Sequence, residues 1–251
     1  MSRIKVLNLC YSAETKRILN DINLDIQTGE ILSIMGPSGS GKTTLLKVLT
    51  GLLKATSGSI LIDDVDITDM KESELDQIRL RMGLVFQYAA LFDSLNVYDN
   101  IVFGVVRHNR SITRAELDKI VHERLEQVGL PGIERQLPSE LSGGMQKRVG
   151  LARALAMKPS IIFYDEPTSG LDPVTALAID ELITNTRNQL AVTSIIVSHQ
   201  LQSIFRISDR VAMIHEGNIV MAGTPDEVLA SDNAIVKAFL KPENSILRSR
   251  V

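Results

Sequence analysis

The chain has 251 residues, enough for one large or two small domains, and a net charge of −3. That balance gives no general electrostatic pull toward nucleic acid, so no nucleic-acid partner is expected. A single cysteine, Cys10, excludes an intramolecular disulfide framework and fits a reducing compartment. No apolar run approaches the ~18 residues of a membrane span, so if the protein serves transport, another chain must cross the membrane.

The opening Met1-Ser2-Arg3-Ile4-Lys5-Val6 enters a strand and shows no secretory signal. Residues 1–30 alternate short apolar strands with polar turns, and Cys10 is expected to pack inertly within one of them. Ile31-Leu32-Ser33-Ile34-Met35 is an apolar run ending at a glycine and reads as a buried strand. The turn Gly36-Pro37-Ser38-Gly39-Ser40-Gly41-Lys42-Thr43 follows, and Thr43-Thr44-Leu45-Leu46-Lys47-Val48-Leu49 continues as a helix with Gly51 as its stop. Glycines at 36, 39 and 41 let bare backbone turn sharply, so that N–H groups converge on phosphates at a helix N-terminus. In this pattern Lys42 reaches the terminal phosphates and Thr43 offers a hydroxyl to Mg²⁺.

Met82-Gly83-Leu84-Val85-Phe86 precedes Gln87, after which residues 88–158 lose strand patterning and read as helical. Within them Thr113-Arg114-Ala115-Glu116 is a capping box opening a helix that ends near Gly129. Leu141-Ser142-Gly143-Gly144 starts an amphipathic helix that stops before Pro159, a second helix N-terminus suited to phosphate. Ile161-Ile162-Phe163-Tyr164-Asp165-Glu166 is an apolar strand closing on two carboxylates. In an open α/β sheet, ligands bind at that end. Asp165 would hold Mg²⁺ directly or through water, and Glu166 would act as general base on the attacking water. Val192-Thr193-Ser194-Ile195-Ile196-Val197 is a third buried strand, ending at Ser198-His199, where His199 can reach the γ-phosphate. His108, His122 and His215 have no such placement. Residues 159–223 alternate strand and helix, and 224–251 give short helices and a polar tail. One nucleotide has a single γ-phosphate, so two distant phosphate-binding helix starts predict a two-fold dimer. Each nucleotide would lie between residues 36–43 of one copy and 141–144 of the other.

These motifs, in this order, resemble the nucleotide-binding subunit of an ATP-binding cassette (ABC) transporter over about residues 4–240. The resemblance implies a P-loop NTPase fold, α/β, with a RecA-like, mostly parallel sheet core, an antiparallel β lobe and an inserted helical subdomain. Residues 1–240 would form one cassette, with core segments 1–87 and 159–240, the helical part at 88–158, and a tail at 241–251. It also implies that Tyr11 stacks on adenine and that Gln87 senses Mg²⁺ and links the site to a membrane partner. By the same resemblance Ser169-Gly170-Leu171-Asp172 crosses the dimer interface, Asp172 included, and His199 is the switch histidine. ATP and Mg²⁺ are the implied cofactors. Two positions depart from the family pattern: Met145 stands where the signature usually has Gln, and Gln200 where Asp often follows the histidine.

The stretch from Gln87 to Ile101, together with residues 137–145, is similar to the Mce-associated lipid transporters. There an MlaF-like ATPase works with a multi-span permease and a lipid-binding Mce-type partner. That resemblance implies phospholipid movement between membranes of a double-membraned bacterium or plastid, from a peripheral position on the cytoplasmic face of the inner membrane. Leu91, Phe92 and Leu95 are expected to help form a socket for a permease helix. Amino-acid and metal importers share much of the frame and are the alternative. DNA-repair or chromosome ABC ATPases need a long heptad-rich insertion, absent here. Ribosome-acting ABC proteins usually carry two cassettes, and a non-catalytic scaffold would be expected to lack Lys42 or Glu166.

Overall fold

The structure, a computed structural model, describes residues 2–241, so the tail expected at 241–251 lies from residue 242 onward outside the described residues. Strands β1 (Ser2–Ala13) and β2 (Lys16–Gln27) form an antiparallel hairpin. Leu19, Ile22, Leu24 and Ile26 of β2 turn inward. β3 (Ile31–Met35) leaves this lobe and is buried at every position. A strand apolar on both faces needs cover on both sides, as the inner strands of parallel sheets have. α1 (Lys42–Leu49) buries Leu45, Leu46, Val48 and Leu49. β4 (Ser57–Ile62) and β5 (Val65–Asp66) complete an antiparallel sheet of order β2-β1-β4-β5. α2 (Glu72–Arg79) then leads to β6 (Met82–Val85).

Three α-helices and one short 3-10 turn (Pro138–Glu140) follow with no strand between residues 86 and 160: α3 (Val97–His108), α4 (Arg114–Gln127) and α5 (Gly143–Ala156). α3 buries Val97, Ile101, Val102 and Val105, one helical face, and packs on α5. The capping box opens α4: Glu116 N–H donates to Thr113 Oγ1 at 3.3 Å and Thr113 N–H to Glu116 Oε2 at 2.8 Å.

The second half alternates β7 (Ile161–Asp165), α6 (Pro173–Leu190), β8 (Thr193–Val197), α7 (Leu201–Ile207), β9 (Arg210–His215) and β10 (Asn218–Gly223), then α8 (Pro225–Leu229) and α9 (Ala234–Leu240). The second sheet has order β10-β9-β3-β8-β7-β6, parallel from β9 to β6, with β10 antiparallel at the edge. Side-chain alternation divides its strands between two cores. Ile161 and Phe163 of β7 and Ile195 and Val197 of β8 join Leu32, Leu45 and the antiparallel sheet. Ile162, Tyr164 and Ile196 join Ile101, Leu125, Val149 and Leu155 of the helical insert. The insert is thus fastened through the opposite face of the sheet.

Ile34 and Asp165 both pair with Val197, so β3, β8 and β7 end side by side. From that edge the chain departs into the glycine loop, into Ser198-His199, and into the loop after Asp165. This is the crevice where open parallel sheets bind ligands.

Candidate functional site

The glycine loop is fixed by sterics. Gly36 has φ +150°, and a Cβ there would lie 2.1 Å from Ile214 O, so only glycine lets the loop pass under β9. The loop then enters α1 at Gly41, and no side chain caps that helix. Its first N–H groups are left for something else to satisfy.

Lys42 is 8% exposed. Its Nζ donates to Gly36 O at 2.8 Å and Pro37 O at 2.9 Å. Burial pushes the ammonium below the usual lysine range, and Glu166 and Asp165 oppose that shift. Thr43 Oγ1 lies 3.2 Å from Asp165 Oδ1. Burial pushes the Asp165 carboxyl up, while the bond from Thr43 pulls it down. Glu166 has left-handed backbone, φ +50°, an unusual state for a non-glycine residue that functional sites often hold. It is over-determined: its N–H donates to Val197 O at 2.8 Å, and its Oε2 receives Ser198 Oγ at 3.3 Å and His199 N–H at 3.3 Å. His199 Nδ1 is 2.8 Å from the same oxygen, within hydrogen-bond reach of the carboxylate.

These groups border one cavity of about 640 Å³, lined by Ser38, Gly39, Gly41, Lys42, Thr43, Thr44, Gln87, Glu166 and His199 from the expected set. Gly36, Pro37 and Ser40 form the loop behind the wall, and Asp165 reaches it through Thr43. Tyr11 does not line the cavity and packs against the core between the sheets. Ser142, Gly143, Gly144 and Asp172 also lie outside the wall. Ser142 caps α5 by accepting Met145 N–H at 3.3 Å, and Asp172 caps α6 by accepting Val174 and Thr175 N–H at 3.0 and 3.1 Å. Lys16, Arg17, Ile18, Glu216 and Gly217 complete the wall and were not among the candidates. They come from the start of β2 and from the β9–β10 turn, neither of which carries a motif; the signal was the basic pair Lys16-Arg17 five residues after Tyr11.

Cys10 is buried as expected of a packing thiol, but it is also a polar anchor. Its sulfur accepts Asp21 N–H at 3.4 Å and Arg17 Nη2 at 2.7 Å. The bond from Asp21, then that from Arg17, holds the thiol below its ordinary range against burial. Of the apolar triplet 91, 92 and 95, Phe92 is 42% exposed and meets Phe103 in a tilted contact, 4.5 Å between centroids, while Leu91 packs into the helical core and Leu95 is half-buried.

The residues fit a magnesium nucleotide. An uncapped helix start, a desolvated lysine held by carbonyls, and Ser40 Oγ buried with no hydrogen-bond partner describe a cradle for an anion. Thr43 and Asp165 are hard oxygen donors. Among the described residues no cluster of three His, Cys, Asp or Glu side chains would hold a metal alone. Mg²⁺ there would take its remaining oxygens from phosphates and water, its usual habit.

A two-sheet α/β cassette with this loop, acid pair and histidine defines a P-loop nucleotide-binding protein. The chain belongs to the ABC transporter family, whose model matches residues 19–169. It is an ATP-binding subunit of that class, a family that hydrolyses ATP. It is 44% identical over 237 residues to "Probable ribonucleotide transport ATP-binding protein mkl" of Mycobacterium leprae, covering 94% of this chain and 68% of that one. It is 40% identical over 241 residues to "Intermembrane phospholipid transport system ATP-binding protein MlaF" of Haemophilus influenzae, covering 96% and 91%. The Escherichia coli K12 protein of that name is 37% identical, covering 94% and 88%. Among solved structures, cbiO1 from Clostridium perfringens, part of the ABC transporter complex cbiONQ, superposes with TM-score 0.86 at 32% identity, covering 98% of this chain and 99% of that one. The dimeric ATP-binding cassette MJ0796 bound to ADP and phosphate gives 0.81 at 32%, covering 88% and 98%. No helix among the described residues is long and apolar enough to cross a membrane.

Proposed function

We propose that two copies close head-to-tail on two ATP molecules and drive a separate permease that moves phospholipid between membranes. The observation that carries the catalytic reading is the meeting of Lys42, Thr43–Asp165 and Glu166–His199 at one cavity. Lys42 exchanges its carbonyl partners for β- and γ-phosphate oxygens and meets the charge that develops there. Thr43, Asp165 and Gln87 would hold Mg²⁺, which when bound neutralises phosphate charge. Glu166 takes a proton from water as its oxygen attacks the γ-phosphorus and ADP leaves. His199 holds the carboxylate in position and faces the γ-phosphate. Tyr11 would reach adenine once nucleotide is present. Ser142, Gly143 and Gly144 of the other copy close the site, with Asp172 at the seam. The nucleotide-bound MJ0796 dimer supports this arrangement.

Phospholipid as cargo is supported by the MlaF relatives, which this chain matches over nearly their whole length. A permease helix would dock at the exposed aromatic stretch with Phe92, and an Mce-type lipid-binding protein would complete the complex. The subunit would then sit on the cytoplasmic face of a bacterial inner membrane. A second reading is small-solute cargo: the mycobacterial relatives, of whose length this chain spans about two thirds, bear a ribonucleotide-transport name at slightly higher identity. Purification with the untagged membrane partner and mass spectrometry of what comes with it decides between them. Stoichiometric phospholipid, with ATPase activity stimulated by phospholipid vesicles, supports the first. Nucleotide or amino-acid stimulation without bound lipid overturns it.

A further inference from the structure

The loop between Glu166 and α6 is gripped at consecutive carbonyls by two side chains that the mechanism above does not use. Lys147, in the second turn of α5, is 8% exposed. Its Nζ donates to Pro167 O at 2.9 Å and to Ser169 O at 2.5 Å. Gln200 Nε2 donates to the carbonyl between them, Thr168 O, at 3.2 Å, while Gln200 N–H bonds Ser198 Oγ at 3.1 Å. Pro167 and Thr168 are both buried, so these carbonyls have protein donors in place of water. Burying an ammonium is costly even with the Glu166 carboxylate close enough to offset part of the loss, and a Met of similar length would fill the space more cheaply. What the lysine adds is several donors on one tethered atom, spanning two carbonyls. Gln200 adds what a carboxylate at that position cannot: aspartate accepts hydrogen bonds and would face Thr168 O with a like partial charge.

We propose that Lys147 and Gln200 form one clamp on the backbone of residues 167–169, a positioning device that fixes Glu166 relative to the start of α5. The consequence for turnover rests on reading Glu166 as the general base. Glu166 immediately precedes the clamped segment, and its left-handed backbone needs support from its neighbours. Ser142, at the head of α5, lies five residues before Lys147. Movement of the α5 start against a second copy's nucleotide is therefore transmitted by a short rigid link to the loop that carries the base. Neither clamp residue is itself part of the cavity lining.

The experiment has two readouts on the full chain. The first is hydrogen exchange of the Ser169 and Leu171 amides, which bond Glu166 O and Thr168 O in the closed loop. In Lys147→Met these should exchange at least about tenfold faster, with α4 unchanged. Gln200→Met should do the same to a smaller degree, and Lys147→Arg, which keeps two or more donors, should restore protection. The second readout is ATP turnover. Lys147→Met should lower kcat roughly ten- to a hundredfold with KM for ATP within about twofold, because a displaced base slows chemistry and leaves phosphate binding intact. The double variant should lose less than the product of the single losses, since both grip one loop. Unchanged loop exchange in both single variants overturns the clamp, as does a rise in KM with kcat unchanged. If Lys147→Met does not fold, Gln200→Met reads the same loop alone. Faster loop exchange in a chain whose parent hydrolyses no ATP would retain the clamp and overturn the functional reading instead.

Discussion

The helix starts at Gly41 and Ser142 are built from similar small residues and meet different surroundings. The first leaves its N–H groups uncapped at the wall of a cavity, with a buried lysine beside them and Glu166 on the same wall. The second is capped by its own Ser142 at 3.3 Å, with Ser142 and Gly143 exposed. A Cβ at Gly143 would meet nothing within 4 Å. One helix start therefore meets its anion cradle within a single copy; the other, in the head-to-tail arrangement proposed above, would be a half-site whose ligand is presented from outside. The same glycine chemistry serves both; what differs is the number of elements that converge.

The largest expected effect tests the finished site. Lys42→Ala should lower ATP turnover on the order of a thousandfold, because the transferring phosphoryl group loses its desolvated cation. Phosphate release under saturating ATP measures it; turnover within tenfold of the parent would remove Lys42 from the mechanism. Glu166→Gln should cut turnover by a similar factor and leave nucleotide affinity within a fewfold. The amide keeps the shape and cannot take the proton. It should also accumulate an ATP-dependent dimer in sedimentation, with the membrane complex examined in parallel. Weaker affinity with intact turnover per bound ATP would contradict the assigned role.

A smaller effect is expected at the half-site. Gly144 is buried, and a Cβ there would lie 2.6 Å from Thr175 Cγ2, so in Gly144→Ala either Thr175 turns away, straining its bond to Asp172, or the starts of α5 and α6 separate. Overpacking of this kind costs about 1–3 kcal/mol. Its mark should be a roughly tenfold weaker ATP-dependent dimer with unchanged nucleotide affinity of the single copy. Reduced affinity in the single copy would mean that the two helix starts are not separable in function.

How much of this was legible in the sequence follows from the range of the interactions. The phosphate loop, the strands β3, β7 and β8, and the Thr113–Glu116 box were readable because each is specified by neighbours within a few residues. Tyr11's place against the core, the walls from Lys16 to Ile18 and from Glu216 to Gly217, and the grip of Lys147 on Pro167 and Ser169 depend on chain pairings no local pattern encodes. Asn100 is the clearest case. It reads as an ordinary polar helix residue, yet it is fully buried. Its Nδ2 donates to Phe92, Leu95 and Asn96 carbonyls and its Oδ1 accepts Phe92 N–H.

That Asn100 hub bears on the smallest expected effect. It pins the 92–96 loop from within, so the aromatic ring of Phe92 is not what holds the loop. Phe92 is 42% exposed, its ring tilted against Phe103, with the Arg153 guanidinium 5.8 Å from its centroid. Arg153 in turn donates to Ala89 O at 3.0 Å and Ala90 O at 2.7 Å. In Phe92→Asp the new carboxylate would face water and this cation, so the isolated subunit should lose only about 1 kcal/mol and bind nucleotide as before. In the complex the same charge would enter an apolar contact, and burial without a partner there is costly. Permease assembly and transport should therefore fall while nucleotide binding by the free subunit holds. Thermal unfolding of the free subunit and co-purification of the permease separate the outcomes. If Phe92→Asp unfolds the free subunit, the ring belongs to the core; if it assembles and transports normally, the permease docks elsewhere.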